Sequence, residues 1–154
     1  MAIDRVRAAL QAAGLTADIA EFPAGTRTAE DAARALGTSV AQIVKSLVFL
    51  ADARPILVLA SGANRVDVGK LAAAAGARVI RKADAVIVRE VTGYAIGGVP
   101  PMGHRRVLPT FLDQDLLAYD VVYAAAGTPT AVFPVAPRAL LGAAGATEID
   151  LREE

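Results

Sequence analysis

The chain has 154 residues with 16 basic and 16 acidic side chains, one histidine and no cysteine; this length suits one domain spanning 1–154 with a genuine core and needs no second. A formal net charge of zero argues against a stand-alone, high-affinity duplex binder, because any nucleic-acid contact must come from a local patch. Lack of cysteine removes disulfides, thiolate nucleophiles and thiolate-bound metals, and His104 alone leaves too few soft ligands for zinc, so neither metal nor cofactor is expected.

The N-terminus MAIDRVRAALQAAGL carries Asp4, Arg5 and Arg7 where a signal peptide needs an apolar core, and nothing later approaches a membrane span, so a soluble cytoplasmic protein is expected. Ile3, Val6 and Leu10 recur at helical spacing with Gly14 as the stop, and TADIAEF (16–22) reads as a short strand. Thr28, three before Asp31, predicts the cap of a helix through AEDAARAL (29–36) that ends at Gly37. Thr38 or Ser39 caps a shorter helix carrying Gln42. The chain leaves it near Lys45 for the strand SLVFLA (46–51), turns through DAR and returns through PILVLA (55–60). Asp67 predicts a capped helix VGKLAAAA (68–75), with Val66 and Leu71 spaced as a staple and Gly76 as the stop; ARVI (77–80) follows as a strand.

Helical ADAVIVREV (83–91) ends at Thr92-Gly93 and leads into the loop YAIGGVPPMGH (94–104). Strands VLPTFL (107–112), DVVYAAA (120–126) and TAVFPV (130–135) come next, then a helix in APRALLGAAG (136–145) and a strand in ATEIDL (146–151). LAAAAGARVI (71–80) resembles LLGAAGATEI (140–149), which a shared glycine C-cap explains without duplication. Interleaved helices and strands with hairpin arms predict a mixed α+β sheet.

Common nucleotide cradles are missing, since neither G-x-G-x-x-G nor G-x-x-x-x-G-K-[ST] occurs. Ser39, Ser46 and Ser61 are the only serines, and none lies in G-x-S-x-G. In GGVPPMG (97–103), Gly97 and Gly98 permit positive φ and close approach, while Pro100 and Pro101 stiffen the exit. Such a loop either offers backbone N–H groups to a carbonyl or phosphate oxygen or simply connects a helix to a strand. Lys45 interrupts the apolar run QIVKSLVF (42–49). It either snorkels from a strand's entrance or serves a ligand, since an unpaired buried ammonium is costly.

QIVKSLVF, PILVLASGANRVD, TGYAIGGVPPMGH, LPTFLDQDLL and VVYAAAGTPTAVF follow one another in the order and approximate spacing of the YbaK/prolyl-tRNA synthetase editing-domain family, which this chain resembles from about residue 20 to 151. It looks like a free-standing member with no synthetase attached. The resemblance implies a mixed, largely antiparallel sheet curled into a partial barrel with flanking helices. It also implies hydrolysis of the ester of a wrongly aminoacylated tRNA. The family's lysine matches Lys45 and its G-x-x-x-P loop matches Gly97 to Pro101, including Gly98. Ser46 follows the lysine, where relatives vary and shape the amino-acid pocket. Near Thr128 and Thr130 many relatives carry a polar residue, sometimes histidine.

An aminoacyl ester is already activated, so positioned water and a stabilised oxyanion supply much of the rate without a protein nucleophile. On this reading Lys45 anchors the terminal phosphate or ribose, the Gly97–Pro101 backbone holds the carbonyl end, and the substrate's 2′-hydroxyl assists water. Ser61 and Gly62 suggest, with Ser46, room beside the lysine. Arg105 and Arg106 are either contacts for acceptor-end phosphates or solvated turn charges. The expected partner is a tRNA acceptor end bearing a non-cognate amino acid, with a synthetase or elongation factor as a helper that already holds the tRNA. The alternative is a non-catalytic module of the same fold that binds a small anion, a nucleotide or a protein.

Overall fold

Local capping sets most helix boundaries of the computed structural model, which describes residues 2–16, 18–22 and 28–154. Helix α1 (Ala2–Ala12) buries Val6 and Leu10, and strand β1 is limited to Ala20–Glu21 rather than the whole of 16–22. Helix α2 (Ala29–Leu36) begins where Thr28 Oγ1 accepts the Asp31 N–H at 3.0 Å and ends at Gly37 with φ 69°. A single 3-10 turn, Val40–Gln42, leads directly into β2 (Ile43–Ala51). Gln42 is tied at both ends: its Oε1 accepts the Thr38 and Ser39 hydroxyls at 2.6 and 2.9 Å, and its Nε2 donates to the Val121 carbonyl at 3.1 Å. Strand pairing, with Tyr123, can therefore start at Ile43. The expected start at Ser46 is corrected accordingly, and Lys45 is the third strand residue rather than the entrance.

β2 returns as β3 (Arg54–Ser61) through a turn in which Asp52 and Ala53 have φ of 49° and 71°. The Asp52 carboxylate accepts the Arg78 and Val79 N–H groups at 2.9 to 3.1 Å, and these bonds hold its pKa below the usual value. Helix α3 (Val68–Ala75) starts on the Asp67 side chain as expected, and β4 occupies Ile80–Lys82. Because Asp52 takes the N–H groups of 78 and 79, the ladder with β2 begins at Ile80, three residues later than the expected 77–80 strand.

Helix α4 (Ala85–Thr92) is capped by Asp84; β5 (Thr110–Asp113), a 3-10 turn (Gln114–Ala118), β6 (Val122–Ala125), β7 (Ala131–Val135), α5 (Pro137–Ala143) and β8 (Thr147–Ile149) complete the chain. The strand order is β1-β7-β6-β2-β3-β5-β8, with β4 beside β2. β2 pairs antiparallel with β3 and β4, as β7 does with β1 and β6, whereas β2–β6, β3–β5 and β5–β8 are parallel. β1 and β8 end the path without meeting, so the sheet is mixed and not closed.

Both faces of the sheet are buried. Leu57 and Leu59 pack with Val44, Val48, Leu112 and Phe133, while Ile56 and Val58 pack with Phe49, Leu71, Phe111 and Leu151. This explains why β3 reads as an unbroken apolar run, as a central strand should. Among the described residues no helix is long and apolar enough to cross a membrane.

Candidate active site

A gap in the sheet creates the site. β2 pairs with β6 through Ile43 and Val44 and with β4 through Phe49 to Ala51, so residues 45–48 have no strand on that side among those described. The Val48 carbonyl points that way and accepts the Ala83 N–H at 3.1 Å. By the two-residue period of a strand, the N–H and C=O of Ser46 point the same way, into the opening. A cavity of about 360 Å³ occupies the gap. Its walls include Val44, Val48, Val88, Val99, Pro129 and Val132, and its polar lining residues include Thr28, Lys45, Ser46, Lys82 and Tyr123, with Gly97 beside them.

Lys45 neither snorkels freely into water nor lies unpaired. Its ammonium donates to the Asn64 carbonyl oxygen at 2.7 Å, and its side chain is half-buried. Loss of hydration holds its pKa below the ordinary lysine value, against the opposing pull of Glu30 and Asp113. Ser46 is on the opposite face of β2, beside Val44 and Val48. Its Oγ is buried and has no hydrogen-bond partner among the described residues. A hydroxyl left in that state costs about 1–3 kcal/mol.

The 97–101 loop is braced from behind. Gly97 lines the cavity with φ 89°, and a Cβ on it would stand 3.7 Å from Pro129. Gly98 needs to be glycine for a different reason, since its φ is not positive. A Cβ there would approach Thr128 Cα to 2.8 Å. Its N–H donates to the Ala95 carbonyl at 3.0 Å, and the loop residues that line the cavity are Gly97 and Val99. Tyr94 donates its hydroxyl to the Gly103 carbonyl at 2.9 Å, and His104 Nε2 donates to the Pro100 carbonyl at 2.6 Å. Burial lowers the His104 pKa below its ordinary value, against the opposing effect of the bond to the Pro100 carbonyl.

Thus Lys45, Ser46 and Gly97 converge on one cavity, and the other expected residues do not line it. Pro101 is buried behind the loop. Ser61 Oγ donates to the Ala41 carbonyl at 2.7 Å, and Gly62 is pressed against Val40, where a Cβ would meet the carbonyl oxygen at 2.5 Å. Thr128 and Thr130 flank Pro129, which does line the wall. Arg105 and Arg106 are exposed; their N–H groups donate to the Thr92 and Val91 carbonyls at the end of α4. Lys82 is a lining residue that the sequence did not single out, because the β4 register depends on the distant Asp52.

The site is thus a largely apolar chamber at a broken strand edge, with two lysines, Lys45 and Lys82, among its lining residues. The particular family follows from comparison. Residues 23–143 match the model of the aminoacyl-tRNA editing domain, and the chain belongs to that family. It is similar to a solved structure titled "Crystal structure of a putative trans-editing enzyme for prolyl tRNA synthetase", with TM-score 0.94, 49% identity and coverage of 99% of this chain and 98% of that one. The "Uncharacterized protein YwhH" of Bacillus subtilis is 32% identical over 126 residues, 80% of this chain and 78% of that protein. The "Putative Cys-tRNA(Pro)/Cys-tRNA(Cys) deacylase EbsC" of Enterococcus faecalis is 30% identical over 115 residues, 74% of this chain and 70% of that protein.

Proposed function

We propose that this protein is a trans-acting deacylase that hydrolyses the ester linking a small, non-cognate amino acid to the 3′ end of a tRNA. The observation that carries the reading is the convergence of Lys45, Ser46 and Gly97 on a largely apolar chamber of about 360 Å³ at a strand edge. The amino-acid side chain fits the valine-lined wall. The Gly97 N–H and the edge N–H of Ser46 are donors for the carbonyl oxygen as it becomes an oxyanion. Lys45 and Lys82 supply positive charge for the terminal phosphate.

No carboxylate or imidazole lines the cavity among the described residues, and residues 23–27, Pro-Ala-Gly-Thr-Arg, contain none. His104 has its Nε2 committed to Pro100. The proton therefore travels through the substrate: water attacks the carbonyl carbon, its proton passes by way of the 2′-hydroxyl to the departing 3′ oxygen, and the ester C–O bond breaks. The products are a free amino acid and a tRNA with both terminal hydroxyls. A formal net charge of zero favours delivery of the tRNA by a protein already holding it, such as a synthetase or elongation factor.

The test is single-turnover deacylation of a panel of mischarged tRNAs, each also prepared with a 2′-deoxy terminal adenosine and the amino acid on the 3′ oxygen. The expected result is enzyme-dependent hydrolysis of at least one intact substrate and a loss of about 10²- to 10⁴-fold on its 2′-deoxy form with binding retained. Equal rates on both forms would refute substrate assistance. Binding without hydrolysis across the panel would leave a non-catalytic module.

A further inference from the structure

Behind Lys45 lies a buried chain of polar groups that the proposed chemistry does not itself use. Asp113, the last residue of β5, is 0% exposed. Its Oδ2 accepts the Ser61 N–H at 3.0 Å and the Asn64 side-chain amide at 2.8 Å, and its Oδ1 accepts the Asp115 N–H at 2.9 Å. The same Asn64 amide donates to Asp115 Oδ2 at 2.9 Å, and Arg152 pairs with that oxygen at 3.2 Å. Asn64 is therefore gripped by its side chain, while its own carbonyl oxygen receives the Lys45 ammonium at 2.7 Å.

We propose that Asp113 is a positioning residue for Lys45, acting through Asn64 to hold the ammonium in place at the cavity. A fully buried carboxylate is kept only where its lone pairs are satisfied, and here all its donors come from the segment 61–64 and from Asp115. Lys45 bonds to the main-chain carbonyl of residue 64, and the side-chain ties to Asp113 and Asp115 fix the backbone that carries that oxygen. A lysine has four rotatable bonds and loses about 2 kcal/mol of rotamer freedom when fixed, so an anchor set in advance removes that cost from substrate binding. The negative charge of Asp113 also favours the protonated lysine. The other charges acting on Lys45 are Glu30 on α2, which favours the ammonium, and Lys82 on β4 and Arg65 beyond β3, which oppose it.

The inference rests on the deacylase reading for its consequence, but its first test does not. The Lys45 ammonium resonance, assigned by its loss in Lys45→Arg, is compared by NMR between the wild type and Asp113→Asn. If Asp113 holds the ammonium through Asn64, its loss frees the group and the Nζ protons exchange faster with solvent; unchanged protection overturns the proposal. Should Asp113→Asn fail to fold, Asn64→Ala keeps the carboxylate and its backbone donors while cutting the tie to residue 64. The Lys45 Nζ resonance should then lose its protection from solvent exchange, and unchanged protection would refute the relay. On mischarged tRNA both variants should lose about tenfold or more in deacylation. A wild type inactive on every substrate, together with the expected loss of Nζ protection in the variants, would refute the deacylase and leave the relay standing.

Discussion

Replacing Gly98 by alanine should damage the site more than the same change at Gly97, although Gly97 alone has the left-handed backbone. A Cβ at 98 would lie 2.8 Å from Thr128 Cα, 2.9 Å from Thr128 C and 3.0 Å from the Gly127 oxygen. These are backbone atoms that no rotamer change can move. Ordinary carbon contacts lie near 3.5–4.0 Å, so the loop and the 127–128 turn must separate by roughly 0.5–1 Å. Overpacking of this kind costs about 1–3 kcal/mol. Since Gly97 and Pro129 sit on the two sides of that contact and both line the cavity, a shift of about 1 Å there is worth up to about 10²-fold in rate. At Gly97 the added methyl meets Pro129 at 3.7 Å, an ordinary contact, and only the backbone cost of about 1–2 kcal/mol remains. Thermal denaturation and single-turnover deacylation on the same samples measure both quantities. Gly98→Val should be worse again. A Gly98→Ala protein with wild-type melting and wild-type rate would show that the loop does not set the cavity's shape.

Lys45→Ala should fold and lose most deacylation, since its ammonium serves Asn64 and the ligand rather than an ion pair; full activity in a folded variant would sink its assignment. Because burial lowers the Lys45 pKa below the ordinary 10.5, the rate corrected for spontaneous hydrolysis should decline on the alkaline side before 10.5 is reached. Ser46→Ala should melt no lower than the wild type, because it deletes a buried hydroxyl with no partner, yet should change the rate or the choice of amino acid; a clear drop in melting temperature would mean that the hydroxyl is bonded. His104 has a folded pKa below its usual 6.5, so the unfolded chain binds the proton first. Its contribution to stability should be complete above 6.5 and fall away as pH drops from there through the folded pKa. His104→Ala should flatten that window and retain substantial activity; a loss as large as that of Lys45→Ala would place the base on this residue.

What the sequence disclosed divides along the range of the interactions. Thr28 with Gly37, Asp67 with Gly76, and Asp84 with Gly93 each bracket a helix by contacts within a few residues, and the first two pairs were legible as caps. The start of β2 was not, because it depends on Gln42 reaching Val121, 79 residues away. Nor was the β4 register, which Asp52 sets across 26 residues. Lys45 and Gly97 stood out in their local patterns but were left open there, and only the family resemblance singled them out together with Ser46. Asp113 gave no such signal: in LDQDLL a fully buried carboxylate looks the same as an exposed one at the start of a turn. Ser61 and Gly62 were read as space near the lysine, and close packing uses them instead to seat β3 against the 3-10 turn.

The position of the charge in QIVKSLVF follows from the way β2 is shared. A strand that paired along its whole length with β6 would have no room for a ligand, and one with no partner beyond Val44 would present a long free edge, a hazard for aggregation. β2 instead changes partner from β6 to β4, which confines the unpaired edge to the few residues that line the cavity. Lys45 and Ser46 fall there, on opposite faces of one strand, so the ammonium is tethered on one side to Asn64 while the backbone edge of the next residue faces the chamber. Neighbouring residues in a strand normally serve different environments. Only at a broken edge can two such neighbours approach one ligand, which is the arrangement that the proposed grip on the phosphate and acyl ends of one aminoacyl ester requires.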